Sequence, residues 1–269
     1  MTGRVMNKVF VTVLVLGALL GSVKPAIAQL GIVPTQILFE ERDRFKDVTL
    51  FNPGNETKTY DISWEFYRMI GGDSDIAYEI VDESITDFDL SEYLVFTPRR
   101  VTLPPKGRQK VRLALRRPGE VPAGEYRAHL KFSPLEDGNS AKEGKFSVAI
   151  NFRVGFSIPV VFQAGDLDVR AQVESISLER NQNNGALEAY VKISREGKHG
   201  ALGTIDVYDE SDNKIGTVSN ANIFSEADSR KFKMVLKSED ISGQNIRVVY
   251  RHYDKAKNMV FSERFFPVN

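Results

Sequence analysis

Every second residue from Phe146 to Ile158 is apolar: Phe146, Val148, Ile150, Phe152, Val154, Phe156 and Ile158. Between them stand Ser147, Ala149, Asn151, Arg153, Gly155 and Ser157. A period of two admits a β-strand with one oily face and excludes an amphipathic helix, whose apolar positions recur three and four apart. The 13 residues at about 3.3 Å each reach roughly 40 Å, about twice the common strand. One small domain does not comfortably cover a strand of that reach, so part of its apolar face calls for another partner.

The N-terminus gives an address. Arg4 and Lys8 precede an uncharged run from Val9 to Val23, and Ala26-Ile27-Ala28 has the small-x-small form that a signal peptidase cuts. The run is short and nothing comparable recurs, which reads as a cleavable secretory signal over residues 1–28 rather than a membrane span. The mature chain then starts at Gln29 and has 241 residues, with 33 basic against 36 acidic side chains for a net charge of −3. That balance disfavours non-specific nucleic-acid binding. Cysteine is absent, so an exported chain of this size has neither disulfide nor thiolate chemistry and rests on its cores. The bacterial periplasm, or secretion from a bacterium, fits this usage.

Short alternating runs fill the remainder: "IVPTQILFE", "DVTLFNP", "TYDISWEFY", "YLVFTP", "RVTLPP", "QKVRLALRR" and "EYRAHLKFSP" precede the long strand. Turn chemistry separates them, as in Asn52-Pro53-Gly54-Asn55 and Pro104-Pro105-Lys106-Gly107. Such spacing indicates a β-sandwich. After Gln163-Ala164-Gly165-Asp166 the pattern restarts with "VESISLER", "ALEAYVKISR", "GTIDVYDE", "KIGTVSN", "RKFKMVLK", "NIRVVYRHYD" and "MVFSERFF". The simplest parse is an all-β chain of two sandwiches, residues 29–164 and 165–269.

Catalytic and metal-binding patterns are weak. The three histidines, His129, His199 and His252, have no partner at metal-ligand spacing. No Gly-x-Ser-x-Gly, phosphate loop or dinucleotide fingerprint occurs, which argues against an enzyme and implies no cofactor. From Arg99 to Arg117 there are eight basic residues, but Val111, Leu113 and Leu115 alternate with Arg112 and Arg116, the mark of a solvated strand face. The acid-rich "GGDSDIAYEIVDESITDFDLSE" lacks the full calcium-hand ligand pattern and reads as an exposed loop.

At "FTPRRVTLPPKGRQKVRLALRRPGEVPAGEYRAHLKFSPL", residues 96 to 135, the chain resembles the PapD-like periplasmic pilus chaperones, in particular the archaic branch of the chaperone–usher families. The likeness rests on joined elements: Thr-Pro-Arg-Arg before a strand, the Leu-Pro-Pro-x-Gly turn, the Gln-x-Val-Arg-Leu strand and the Pro-x-Gly-Glu-Tyr-Arg turn. Upstream, "VPTQILFEERDRFKDVTLFNPGNETKTYDI" looks like that family's first two strands, with Asn52 ending the second. Downstream, "AYVKISREGKHGALGTIDVYD" is similar to a second-domain element.

The resemblance implies two immunoglobulin-like β-sandwich domains in a boomerang arrangement. It also implies donor-strand complementation, in which the chaperone lends a long strand to a pilus subunit whose own sandwich lacks one. The alternate side chains enter the client's groove and the backbone completes its sheet. Phe146, Val148, Ile150 and Phe152 are then the subunit-binding strand, following the polar segment Ser133 to Lys145. The expected division assigns Phe152, Val154, Phe156 and Ile158 to the chain's own core and ends the strand at Pro159. Three donated side chains, Phe146, Val148 and Ile150, at about 1.5 to 3 kcal/mol each would contribute roughly 5 to 9 kcal/mol before ordering costs.

The family anchors its client's C-terminal carboxylate with one arginine and one lysine. Here the arginine position matches Gln36, which brings a hydrogen bond without charge, and Arg153 is the cation inside the stripe. Gln36 and Arg153 are therefore the anchor candidates. The implied partners are pilus subunits and an outer-membrane usher, with self-capping by dimerisation as a further possibility. An exported two-domain structural or adhesive protein is the alternative; it would keep Phe146 to Ile150 packed inside its own domain.

Overall fold

Most period-two segments pair as antiparallel strands, and their apolar faces close upon each other in two places. The computed structural model describes residues 30–72, 78–81, 89–91, 93–116, 121–135, 154–238 and 241–268. The chain begins with β1 (Gly31–Val33), β2 (Ile37–Phe39), β3 (Phe45–Phe51), β4 (Lys58–Glu65), β5 (Tyr67–Met69) and β6 (Tyr78–Ile80). It continues through β7 (Leu94–Thr97), β8 (Arg100–Leu103), β9 (Arg108–Leu115), β10 (Gly124–Pro134) and β11 (Phe156–Ala164). Then come β12 (Arg170–Arg180), β13 (Leu187–Glu196), β14 (Ala201–Tyr208), β15 (Lys214–Ile223), β16 (Ser229–Val235), β17 (Asn245–His252) and β18 (Val260–Pro267).

In the first sandwich a sheet of order β1-β3-β9-β7 faces one of order β2-β11-β10-β4-β8. In the second, β12-β13-β16 faces β15-β14-β17-β18. Both are immunoglobulin-like sandwiches, three or four strands against four or five. The run "IVPTQILFE", which reads as one strand, is two: β1 joins the first sheet and β2 the opposite one, with Pro34 between them. Proline has no N–H to continue a ladder, so the chain changes sheets where that donor is missing.

Turn chemistry acts at named atoms. The buried Asn52 donates from Nδ2 to the carbonyls of Glu56 (2.7 Å), Leu103 (3.0 Å) and Pro104 (3.1 Å), tying two turns together. In the Leu-Pro-Pro-x-Gly turn Lys106 has φ 58°, and a Cβ at Gly107 would lie 2.7 Å from Pro104, so only glycine fits there.

The first core gathers Phe39, Val48, Leu50, Tyr60, Leu103, Val111, Leu113, Leu130, Phe132 and Phe162. The second gathers Val173, Val191, Ile193, Ile205, Val207, Ile223, Phe224 and Tyr250, and it also contains Leu38, Met69 and Val161 from the first sandwich. One outer face of the first sandwich is therefore buried against the second. The acid-rich segment departs from the expected exposed loop. Its residues 78–80 form β6 on β5, Tyr78 packs against the second core, and Leu90 is fully buried in the first. Leu90 is fixed because an apolar side chain there fills space over the first core, which a count of acidic neighbours does not register.

Candidate functional site

Strand β11 is central to its sheet for only part of its length. On one side it pairs with β10 throughout, from Phe156 opposite Phe132 to Ala164 opposite Gly124. On the other it pairs in parallel with β2 only at Val160, Val161 and Phe162. From Phe156 to Pro159 that second side carries no strand among the described residues.

Burial along the stripe follows the pairing. Phe162 (1% exposed), Val160 (0%) and Ile158 (4%) are in the first core. Phe156 is half-buried at its edge, and Val154 is 51% exposed. Two expectations are thereby corrected. Val154 is not a core residue: it precedes the first residue of β11 and is half-exposed. The strand does not end at Pro159 but continues in register to Ala164, opposite His129 at the proline itself. The loss of one N–H is tolerated there because β2 has not yet begun to pair. Ser133 and Pro134, expected in the polar loop, are the last residues of β10 and pair with Asp61 and Tyr60 of β4.

Phe146, Val148, Ile150, Phe152 and Arg153 lie outside the described residues. Gln36 lies just before β2, one residue ahead of the Ile37–Val160 pairing. It is buried, and its Oε1 accepts from Asn222 Nδ2 of the second sandwich at 2.6 Å. Its Nε2 has no hydrogen-bond partner. Beside it Asn220 donates to Thr35 Oγ1 at 3.1 Å. Gln36 thus stands where the sandwiches meet.

Charged groups missed in the sequence reading lie on the outer face of β10. Lys131 pairs with Glu65, which also accepts from the Tyr67 hydroxyl. Burial and that carboxylate push the Tyr67 hydroxyl up to about 12. Arg127 pairs with Glu226 of the second sandwich, donates to the Tyr67 carbonyl at 2.7 Å, and lies 3.8 Å from the Phe224 ring centre. Between them His129 is held neutral, its pKa driven down to about 3 by burial and by Arg127. The signal for these groups is in "EYRAHLKF", where Glu125, Arg127, His129 and Lys131 alternate with apolar residues. What it lacks is any hint that a second domain covers that polar face.

No group of three or more metal-ligating side chains occurs among the described residues. No protein-family model matches the sequence, and no curated protein does. Among solved structures the chain is similar to the class 5 fimbriae chaperone CfaA, at 16% identity over 89% of this chain and 99% of that one, with a TM-score of 0.45. It is similar to a chain of the CsuC–CsuE chaperone–tip adhesion subunit complex from archaic chaperone–usher Csu pili of Acinetobacter baumannii, at 14% identity over 90% and 98%, TM-score 0.46. A chain from the chaperone–tip adhesin complex of CFA/I fimbriae biogenesis is similar at 15% identity over 90% and 99%, TM-score 0.45. The chain described here is an all-β protein of two immunoglobulin-like sandwiches, similar in outline to these fimbrial chaperones.

Proposed function

We propose that the chain is a periplasmic assembly chaperone, exported by the signal of residues 1–28, that caps pilus subunits by donor-strand complementation and delivers them to an outer-membrane usher. One observation carries the reading. Burial along the apolar stripe declines steadily upstream, from fully buried Val160 to half-exposed Val154. Yet in the sequence the same alternation runs on through Phe152, Ile150, Val148 and Phe146. The alternation extends upstream of the last described core residue, and among the described residues the second ladder side of Phe156 to Pro159 carries no strand, which supports the reading that another sheet is completed there.

In this reading Phe146, Val148, Ile150 and Phe152 enter the client's groove. Gln36 and Arg153 remain the candidates for anchoring its C-terminal carboxylate, of which Arg153 brings the charge. The protein is no enzyme, uses no cofactor, and releases its client by strand exchange. The test is co-purification of subunits from periplasmic extract with the Val148→Asp variant. Both sandwiches should fold with an unchanged unfolding midpoint while subunits are lost. A variant that misfolds would place Val148 in the chain's own core, and one that still captures subunits would remove Val148 from the donor strand.

A further inference from the structure

The first sandwich gives Leu38, Met69 and Val161 to the second core, whereas the outer face of its β1-β3-β9-β7 sheet stays exposed. Parity assigns that face. Val48, Leu50, Val111 and Leu113 point into the first core, so Asp47, Thr49, Lys110 and Arg112 point out. The register sets the outward side chains in rows. Phe45, Ala114 and Val95 form an apolar row across β3, β9 and β7, and Asp47, Arg112 and Thr97 form the next. Phe45 is 58% exposed and Val95 36%. Along β9 the cations Arg108, Lys110 and Arg112 lead to Ala114, each two residues or about 6.8 Å from the last.

Three cations on this face share one carboxylate. Asp47 accepts from Arg112 Nε and Nη2 at 2.8 and 3.1 Å and lies 3.5 Å from Lys110 Nζ. The Arg112 and Lys110 side chains are nevertheless 56% and 70% exposed. Two guanidinium groups lie on aromatic rings, Arg108 5.2 Å from the Phe51 centre and Arg112 4.7 Å from that of Phe45. Beside the apolar row, where the Leu115 N–H meets the Arg44 carbonyl at 2.9 Å, a cleft of about 510 Å³ is lined by Glu41, Arg42, Asp43, Arg44 and Leu115. Its carboxylates are committed: Glu41 accepts from the Gly165 N–H, and Asp43 from the Glu40 N–H and from Lys46. Arg42 and Arg44 are exposed, and among the described residues no carboxylate pairs with either. The whole chain has 36 basic and 36 acidic side chains, so the excess of positive charge is local.

We propose that this face docks an extended acidic segment of a partner protein. Same-face side chains of an extended chain repeat at about 6.8 Å, the spacing of the cations on β9. Carboxylates at alternate positions meet Arg108, Lys110 and Arg112, an apolar side chain at the next same-face position covers Phe45, Ala114 and Val95, and the chain beyond it reaches Arg42 and Arg44. Stacking on Phe51 and Phe45 orients the two guanidinium groups before anything binds, which lowers the ordering cost. A membrane surface fits less well, because the apolar row is narrow and Asp47 stands in the row beside it. The stripe and the domain junction belong to the opposite sheet, so a segment bound here leaves both uncovered. The docking surface stands whether or not the donor strand acts on a client.

The test is an amide chemical-shift titration of the intact chain with a synthetic peptide that alternates glutamate with threonine and ends in phenylalanine. Saturable shifts should fall on β3, β9 and Val95, and a peptide with lysine in place of glutamate should produce none. Lys110→Glu, at a largely exposed position, should weaken the peptide by about fivefold or more, and so should raising the salt from about 20 mM to about 300 mM. Phe45→Ser should weaken it as well, through the lost apolar row. Val148→Asp, which removes client capture in the reading above, should leave the peptide affinity unchanged, so the two readings fail separately. Shifts centred on β10 and β11 instead, or an affinity indifferent to Lys110→Glu, overturn the proposal, as does tighter binding to phosphatidylglycerol vesicles than to the peptide. Should Lys110→Glu fail to fold, the salt titration of the unmodified protein decides, and an affinity that does not fall with salt rejects the surface.

Discussion

Downstream of Pro159, β11 is buried on both faces; upstream of it, only one face is covered and that cover thins out. Val160 and Phe162 face the first core while Val161 joins the second and Gln163 reaches the Gly200 carbonyl at 3.3 Å. Ser157, on the same face as Val161, is exposed, and Val154 has left the first core. One alternation therefore produces two environments. The period of two sets which side chains share a face, and the neighbouring strands and domain set how deep each face lies.

Substitutions at matched positions should separate the two halves. The largest effect is expected for Val161→Asp, which places a carboxylate in the second core without a partner and should cost about 4 kcal/mol or more. Val154→Asp, the same chemistry seven residues upstream, should change the unfolding free energy by less than about 0.5 kcal/mol. Urea denaturation of the two variants measures the contrast, and equal losses would erase the distinction between the halves. Next in size, Phe162→Ala should cost about 3 to 5 kcal/mol and Phe156→Ala about 1 to 2, because the second ring is only half-buried.

A pH dependence at the position where the halves meet sharpens the comparison further. His129 stands opposite Pro159, and burial drives its pKa from 6.5 to about 3. Between those values the unfolded chain binds a proton that the folded chain excludes. The contribution of His129 is complete above about pH 6.5 and is lost as the pH falls toward 3, by up to about 1.4 kcal/mol per pH unit. Denaturation at pH 7, 5.5 and 4.5 should show that slope reduced in His129→Gln, with the buried His252 retaining its own share in the same direction. An unchanged slope would place the proton uptake elsewhere.

The sequence made most strands legible. All seven runs read after Gln163 became strands, because each alternates cleanly and is bounded by turn residues. Three readings needed tertiary information. "IVPTQILFE" looks continuous although Pro34 divides it between facing sheets. The acidic run from residue 71 to 92 looks fully solvated, yet it contributes Tyr78 and Leu90 to two cores. Gln36 reads as a neutral hydrogen-bonding group, and its partner is Asn222, 186 positions away in the chain. No local pattern reports a contact made across that separation.

For this chain, residue order alone determined the strand periodicity, the turns at Asn52 and Gly107, the division into two alternating blocks and the apolar stripe from Phe146 to Ile158. Those are local properties, dictated by side-chain parity and by backbone angles that few residues tolerate. The tertiary structure decided which polar face became a domain junction, how burial falls along the stripe from Val160 to Val154, and that Glu125 is sealed away from water. Burial depends on what arrives from elsewhere in the chain, and parity carries no record of that.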